Sequence, residues 1–455
     1  MWILYNLICR IVGRTIFQKC MNKNYPKIIF FLLFPFFCLY SQQEKGIYGN
    51  ENWLNIWTDF NSNAKIYPEP TQILSGNITE DTKLYKKEIY LLLGNVFVTD
   101  STTLSIEPGT LILGDFKSKA SLIISSSAKI IAEGTLTDPI IFSSNRDVKK
   151  KGDWGGIFIL GNAPTNKIEE TSELDYGLNP SSSEKIQYGG TDVESNSGIL
   201  KYVRIEYAGK RTKNHGYFNG LTLAAVGSET ILENIMVSYC EGNSFHVIGG
   251  NTTLYQLVSF RSKRNDFSFN YGAQSLLENS LAIKSPYHTT SGGTSSIYLA
   301  SYNEKEEVDP TKKGTSLYAE NLTLMVLSNN LEADMKVGLV HEAMYVKEGA
   351  SFSMNKSIFS GFNPAVVLDS KIWINNENLL KMGFSNMYFN NCQGNIFTEN
   401  VPNNEDLENW YGNRAFENVY SQGLDSETFI DVKNLDNPDF RLRINKIIAI
   451  SLPEE

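Results

Sequence analysis

The sequence predicts an all-β protein, a right-handed parallel β-helix with coils of about 22 residues and capped ends. Three observations lead there. From Tyr90 onward the chain is a succession of short apolar runs punctuated by Gly, Asn, Ser and Asp, as in TTLSIEPGTLILGD and ASLIISSSAKIIAEG. Runs that short, rich in Ile, Val and Phe and bounded by turn residues, read as strands. Next, ILENIMVSYCEGNSF (231–245), TLYQLVSFRSKRNDF (253–267) and LLENSLAI (276–283) place Leu232, Leu254 and Leu277 at spacings of 22 and 23. Finally, a distant copy, GFSNMYFNNCQGNIF (383–397), matches the first at Asn234/Asn386, Cys240/Cys392, Gly242/Gly394, Asn243/Asn395 and Phe245/Phe397. Three strands per period is what one coil needs if every strand pairs with its counterpart one coil away. Leucine-rich repeats share the period, but their LxxLxL pattern running into a helix is absent.

The elements follow in chain order. Residues 1–41 read as a signal region. Lys23 and Lys27 precede a twelve-residue apolar core, Ile28 to Leu39, followed by Ser41, and this places the true start at Met21 and cleavage before Gln42. A membrane anchor needs about 20 apolar residues, so the core is too short for one. Acylation at Cys38 is the competing outcome, disfavoured by the bulky Pro35, Phe36 and Phe37 before it. Residues 42–87 are expected to form an N-terminal segment and cap, 88–400 the β-helix, and 401–455, with the helix-like EDLENWYGNRAFENV, a C-terminal cap. Two polar excursions, 165–198 and 286–314, read as loops projecting from the solenoid.

Leu, Ile, Val and Phe are expected to stack inward, coil on coil. Asn234, Gln256, Asn279, Asn321, Asn355 and Asn386 fall near one phase and suggest an amide ladder at a turn, although Asn is common in turns for its own reasons. Cys240 and Cys392 are the only cysteines after Ser41. They occupy one phase of matching repeats several coils apart, so they should be free, buried thiols rather than a disulfide.

Five of the 41 basic residues lie within 1–41, which has no acid, so the remainder carries 36 basic against 50 acidic side chains, a net charge of −14. That balance argues against a nucleic-acid partner, which needs concentrated Lys and Arg. No further apolar run approaches spanning length, so no transmembrane segment is expected in the mature chain. His215, His246, His288 and His341 are too scattered for a motif such as HExxH, and no GxSxG is present.

The strings LSGNITEDTKLYKKEIYLLLGNVFVTDSTTLSIEPGTLILGD, GDWGGIFILGNAPTN, YGGTDVESNSGILKYVRIEYAG and NGLTLAAVGSET span Leu74 to Pro286 and resemble a family of exported parallel β-helix proteins of Bacteroidota. Many of its members are described only as hypothetical or as type IX secretion cargo. The resemblance implies fold and export, with delivery to the periplasm, outer-membrane surface or medium, and no particular reaction. Members of that family carry acid-rich coils of the type DDSFEFFGG and DDDFD, which look like divalent-cation sites. Here EGNSFHVIGG (241–250) and KRNDFSFNYG (263–272) stand instead, leaving Glu241 and Asp266 as the metal candidates and calcium as the one cofactor open. The C-terminal RLRINKIIAISLPEE lacks an evident type IX sorting domain.

β-Helices that are enzymes are mostly polysaccharide lyases and glycoside hydrolases. Hydrolysis needs two carboxylates roughly 5–9.5 Å apart, and no DD pair or pectinase-like string supplies them. Lys263, Arg264 and Asp266 form the only lyase-like cluster, and the expected reading of it is a solvated turn with an internal ion pair. No catalytic residue is assigned. The expected function is that of an exported, non-catalytic scaffold or surface binding protein for a polysaccharide or cell-surface component, with Tyr287, Tyr298 and Tyr302 of the second loop as candidate sugar-stacking residues. A polysaccharide lyase or glycoside hydrolase is the alternative.

Overall fold

The computed structural model describes residues 45–443 except 100, 175, 214–215, 289–293 and 400–404. The expected signal segment, Met21 to Gln42, and the C-terminal residues from 444 lie outside the described residues. Strands between Gln72 and Ser421 join into one 29-stranded sheet that winds as a right-handed parallel β-helix with three faces. We call these A, B and C in the order the chain visits them. Among the described residues every pairing in this sheet joins a strand to its counterpart one coil away, as in Leu281–Lys284 on Thr323–Val326 of face A and Phe245–Ile248 on Phe267–Asn270 of face B.

The register follows from the side-chain period of two. On face C, Leu84, Ile106, Ala132, Leu200, Leu232, Leu254, Leu277, Ala319, Met354 and Phe384 form one column, each opposite the next. All ten are buried in the central core. The leucine repeat therefore reports real stacking, although longer coils elsewhere accommodate insertions at the corners. The distant copy slips by one residue at its end: Phe245, Phe267, Ile297, Met344, Val366 and Ile396 share a column, and Phe397 faces outward.

From Tyr202 onward the turn from face C to face A takes one residue with positive φ per coil. Tyr202, Asn234, Gln256, Asn279, Asn321, Lys356 and Asn386 supply it, with φ between 46° and 57°. Asn tolerates this conformation better than most L-residues, which explains the phase seen in the sequence. At one coil the turn residue is Lys356, not the Asn355 that the spacing suggested. The amide ladder there is broken: Asn234 Nδ2 donates to Gln256 Oε1 (2.8 Å) and Asn386 Nδ2 to Asn355 Oδ1 (3.0 Å). Asn279 and Asn321 instead donate to the backbone carbonyls of Tyr48 and Gly46.

Those last bonds come from an element that sequence reasoning placed at the end of the solenoid. Residues 45–67 run along its side as a strap over face A. Gly46 N–H donates to Lys356 O (2.7 Å), Ile47 N–H to Thr323 Oγ1 (2.9 Å) and Tyr48 N–H to Asn279 Oδ1 (2.9 Å). Gly46 has φ +75°, and a Cβ there would stand 2.4 Å from Ile358 Cδ1, so a larger residue would strain the backbone and have to displace the Ile358 side chain. Farther along, Leu54, Trp57 and Phe60 pack on outward residues of face A, including Met236, Val258, Phe260 and Leu281. Gln72–Ile78 and Thr82–Leu84, also within the segment expected to cap, are already part of the first coil.

At the other end the helix Glu405–Tyr411 puts Leu407 and Tyr411 into the central core, with Tyr411 edge-on to Phe384 at 5.2 Å. Val419–Ser421 adds a last rung to face A, and the hairpin Phe429–Asp431/Asp439–Leu442 returns to the strap, where Phe440 meets Phe60. Cys240 is buried in the core as expected, whereas Cys392, at the same corner several coils away, is only half-buried and packs against the edge of that core. Both are free thiols. No helix of the described residues is long and apolar enough to cross a membrane.

Candidate functional site

Face B is covered over its first coils and open farther along, and the boundary makes a groove. The insertion between the face-B strand Gly156–Leu160 and the face-C part of Gly198–Glu206 folds as a two-stranded ladder, Ser172–Glu173 against Gln187–Tyr188. It buries Leu174, Leu178, Ile186 and Tyr188 against Phe97, Ile123 and Phe158 of face B. Where this cover ends, the outward column of face B turns from apolar to polar: Ile123, Phe158, Thr222, His246, Ser268, Tyr298, Tyr345.

The resulting cavity, about 640 Å³, has His246, Ser268 and Tyr298 on its floor, Tyr176 and Tyr188 from the insertion on one side, and Tyr217 and Arg264 at the corner between faces A and B. Its cations sit on aromatic rings, with Lys167 Nζ 4.6 Å from the centre of Tyr271 and the Arg264 guanidinium 5.4 Å from that of Tyr217. Tyr298 stacks on Tyr345 one coil on, ring centres 6.0 Å apart and planes 16° apart. His246 Nδ1 lies 3.1 Å from Ser268 Oγ, and burial pushes its imidazole down to about 4, so it is uncharged at neutral pH. Burial likewise raises the phenols of Tyr176, Tyr188, Tyr271 and Tyr298, which remain hydrogen-bond donors.

An amide ladder runs along the corner at the groove's rim, continuous where the expected one is broken. Asn243 N–H donates to Asn219 Oδ1 (3.3 Å), Asn265 N–H to Asn243 Oδ1 (3.1 Å), and Ser295 Oγ to Asn265 Oδ1 (3.2 Å). Its signal was in the sequence, as the asparagine of the GNSF and RNDF strings, in a different phase from the series singled out there.

The three candidate tyrosines separate. Tyr298 lines the groove, but from a strand, Ile297–Leu299, that divides the supposed loop 286–314 into two excursions. Tyr302 lies in the second of these, its hydroxyl donating to Glu348 Oε2 at 2.8 Å. Tyr287 is 54% exposed on the short turn Pro286–His288, outside the groove lining. Thus the expectation that the second loop gathers three aromatics over a ligand is corrected: stacking of coils, not the loop, places Tyr298.

The two metal candidates are each engaged by a lysine. Glu241 Oε1 pairs with Lys263 Nζ at 2.5 Å at the edge of the solenoid. Asp266 is fully buried, its Oδ1 accepting from Ser259 Oγ at 2.5 Å and its Oδ2 lying 3.6 Å from Lys284 Nζ. The solvated Lys263–Arg264–Asp266 turn expected from the sequence is therefore not formed: Lys263 turns to Glu241, Arg264 to the groove, and Asp266 inward. Among the described residues no three His, Cys, Asp or Glu side chains gather in a metal-binding cluster. Asp59 of the strap and Glu206 of the solenoid both approach Arg204, at 3.6 and 3.4 Å, but all three are buried.

Residues 76–428 match the family model described as a pectate-lyase like beta helix domain. No curated protein and no solved structure matches the chain.

Proposed function

The chain belongs to the family of pectate-lyase-like β-helix domains, and from that membership and the groove on face B we propose that it is an exported protein that binds a polysaccharide strand along that groove without cleaving it. The observation that carries the reading is the lining itself: aromatic rings held by stacking, fixed amides and two ring-seated cations beside an uncharged imidazole. Rings bury sugar faces, while amides and phenols satisfy hydroxyls, and Arg264 and Lys167 give acidic sugars a counter-charge in a chain that is acidic elsewhere. Export rests on the Met21–Gln42 segment, and N-terminal sequencing of the secreted protein is expected to begin at Gln42.

Two-carboxylate hydrolysis is disfavoured because Glu173 is the only carboxylate among the described residues lining the groove. A polysaccharide lyase is the second reading, favoured by Arg264 and the neutral His246 in one groove, a cation for a sugar carboxylate and a base for the adjacent proton. The test is titration of the purified protein with acidic and neutral polysaccharides, with reducing ends and the ultraviolet absorbance of unsaturated products followed in the same mixtures. Binding weakened about tenfold in Tyr298→Ala, with neither product formed, supports the proposal. Unsaturated product lost in Arg264→Ala would replace it with the lyase, and absence of binding to every polysaccharide would sink both.

A further inference from the structure

We propose that Asp266 and Lys284 are joined by an amide bond between their side chains, a covalent staple between two neighbouring coils inside the solenoid. Asp266 stands just before the face-B strand Phe267–Asn270, and Lys284 ends the face-A strand Leu281–Lys284 of the next coil. Both side chains point into the core, 0% and 5% exposed, with Lys284 Nζ 3.6 Å from Asp266 Oδ2. Ser259 holds Oδ1, and Oδ2, with no close hydrogen bond of its own, is approached by the Lys284 amine beside the Ser296 hydroxyl. Lys284 Nζ is anchored from the other side by the backbone carbonyl of Arg264. The small cavity beside it is lined by Val326, Leu339, Val340 and Phe362 together with the polar Thr294, His341 and Glu342.

A lysine and an aspartate sealed off together in this way carry a desolvation cost that an ion pair only partly offsets. Burial raises the carboxyl of Asp266 and lowers the ammonium of Lys284, which moves the pair toward a neutral acid and a neutral amine. From that state the Nζ lone pair attacks Cγ and a C–N bond forms. Nζ gives up one proton, the Cγ–OH bond breaks, and the hydroxyl leaves with that proton as water. One amine and one acid become one amide and one water, with no oxidant, reductant or activated co-reactant. Glu342, whose carboxyl burial raises, lines the same small cavity as Lys284 and is the carboxyl through which the Nζ proton would be relayed to the departing hydroxyl. The product has no charge left to desolvate. Because Arg264 and Asn265 directly precede Asp266 and line the groove, the staple also fixes the rim of the face-B site.

The full exported chain is digested under denaturing conditions with a glutamate-specific protease, which cuts after Glu278, between the two residues, and the peptides are weighed. The expected result is one branched peptide joining the segments that carry Asp266 and Lys284, lighter than their sum by one water, with cleavage by trypsin after Lys284 blocked. Recovery of both segments as separate linear peptides, with Lys284 open to acetylation once the chain is denatured, overturns the staple. Lys284→Met, which keeps the apolar stem and removes the amine, must abolish the branched species; its persistence would overturn the assignment to this pair. Asp266→Asn is expected to give a product of the same mass as the wild type, by loss of ammonia instead of water, and unlinked peptides in that variant would overturn the proposed attack at Cγ.

Discussion

Asn243 shows how much one side chain does at the rim of the groove. Its Oδ1 accepts the Asn265 N–H and its own N–H is taken by Asn219, so it links three coils. Asn243→Ala leaves a backbone donor without its partner and is expected to cost about 1–3 kcal/mol, read as a lower urea midpoint; Asn243→Asp, which keeps the acceptor, should lose less. His246 gives a second residue-scale expectation. Its folded value of about 4 lies below the ordinary histidine value of 6.5, so between these the unfolded chain binds a proton that the folded chain does not. Stability is therefore complete above roughly pH 6.5 and is lost as pH falls toward about 4. In His246→Gln this part of the pH dependence should disappear, and thermal midpoints measured across the interval check it. Little of the site was legible at this scale. Tyr298 could be picked out as an aromatic, but Tyr217, His246, Arg264 and Tyr271 lie tens of residues from one another or from Tyr298 in sequence, and only the stacking of coils brings them to one surface.

Among the elements, strands were legible and the strap was not, for a physical reason. A strand in a repeating coil is written several times over, and each copy of an inward Leu beside an outward polar residue reinforces the others. Residues 45–67 occur once, carry no period, and take their conformation from groups far away in sequence: Lys356 O, Thr323 Oγ1 and Asn279 Oδ1. Excursions were visible as polar stretches, but their direction was not, since nothing local says that Leu174 and Ile186 fold back onto Phe158. Trp57 is the strap's main anchor, fully buried, stacked on Trp53 at 6.3 Å and edge-on to Tyr202 at 5.8 Å. Trp57→Ala is expected to cost about 3–5 kcal/mol and to uncover the outward face of Met236, Val258 and Leu281. A lower urea midpoint together with new binding of a hydrophobic dye would report both effects; an unchanged midpoint would mean that the strap is dispensable.

For the whole molecule, the stacking itself sets distances that chain separation hides. Cys240 and Cys392 follow the face-A part of Ile231–Ser238 and the face-A strand Tyr388–Asn390, and the ladder between them passes through Val258–Phe260, Leu281–Lys284, Thr323–Val326 and Ile358–Ser360. That is five steps, each of about 4.8 Å, so the two residues stand roughly 24 Å apart along the axis. A disulfide spans no more than about 7 Å between Cα atoms, and an exported location does not alter this geometry. Burial also raises both thiols to about 12, so little thiolate is present at neutral pH and neither should be reactive in the folded chain. A chain produced from Gln42 onward should accordingly show almost no fast-reacting thiol when native and two after denaturation without reductant. An intramolecular cross-link with no titratable thiol would place the two cysteines side by side, which no register of this solenoid allows.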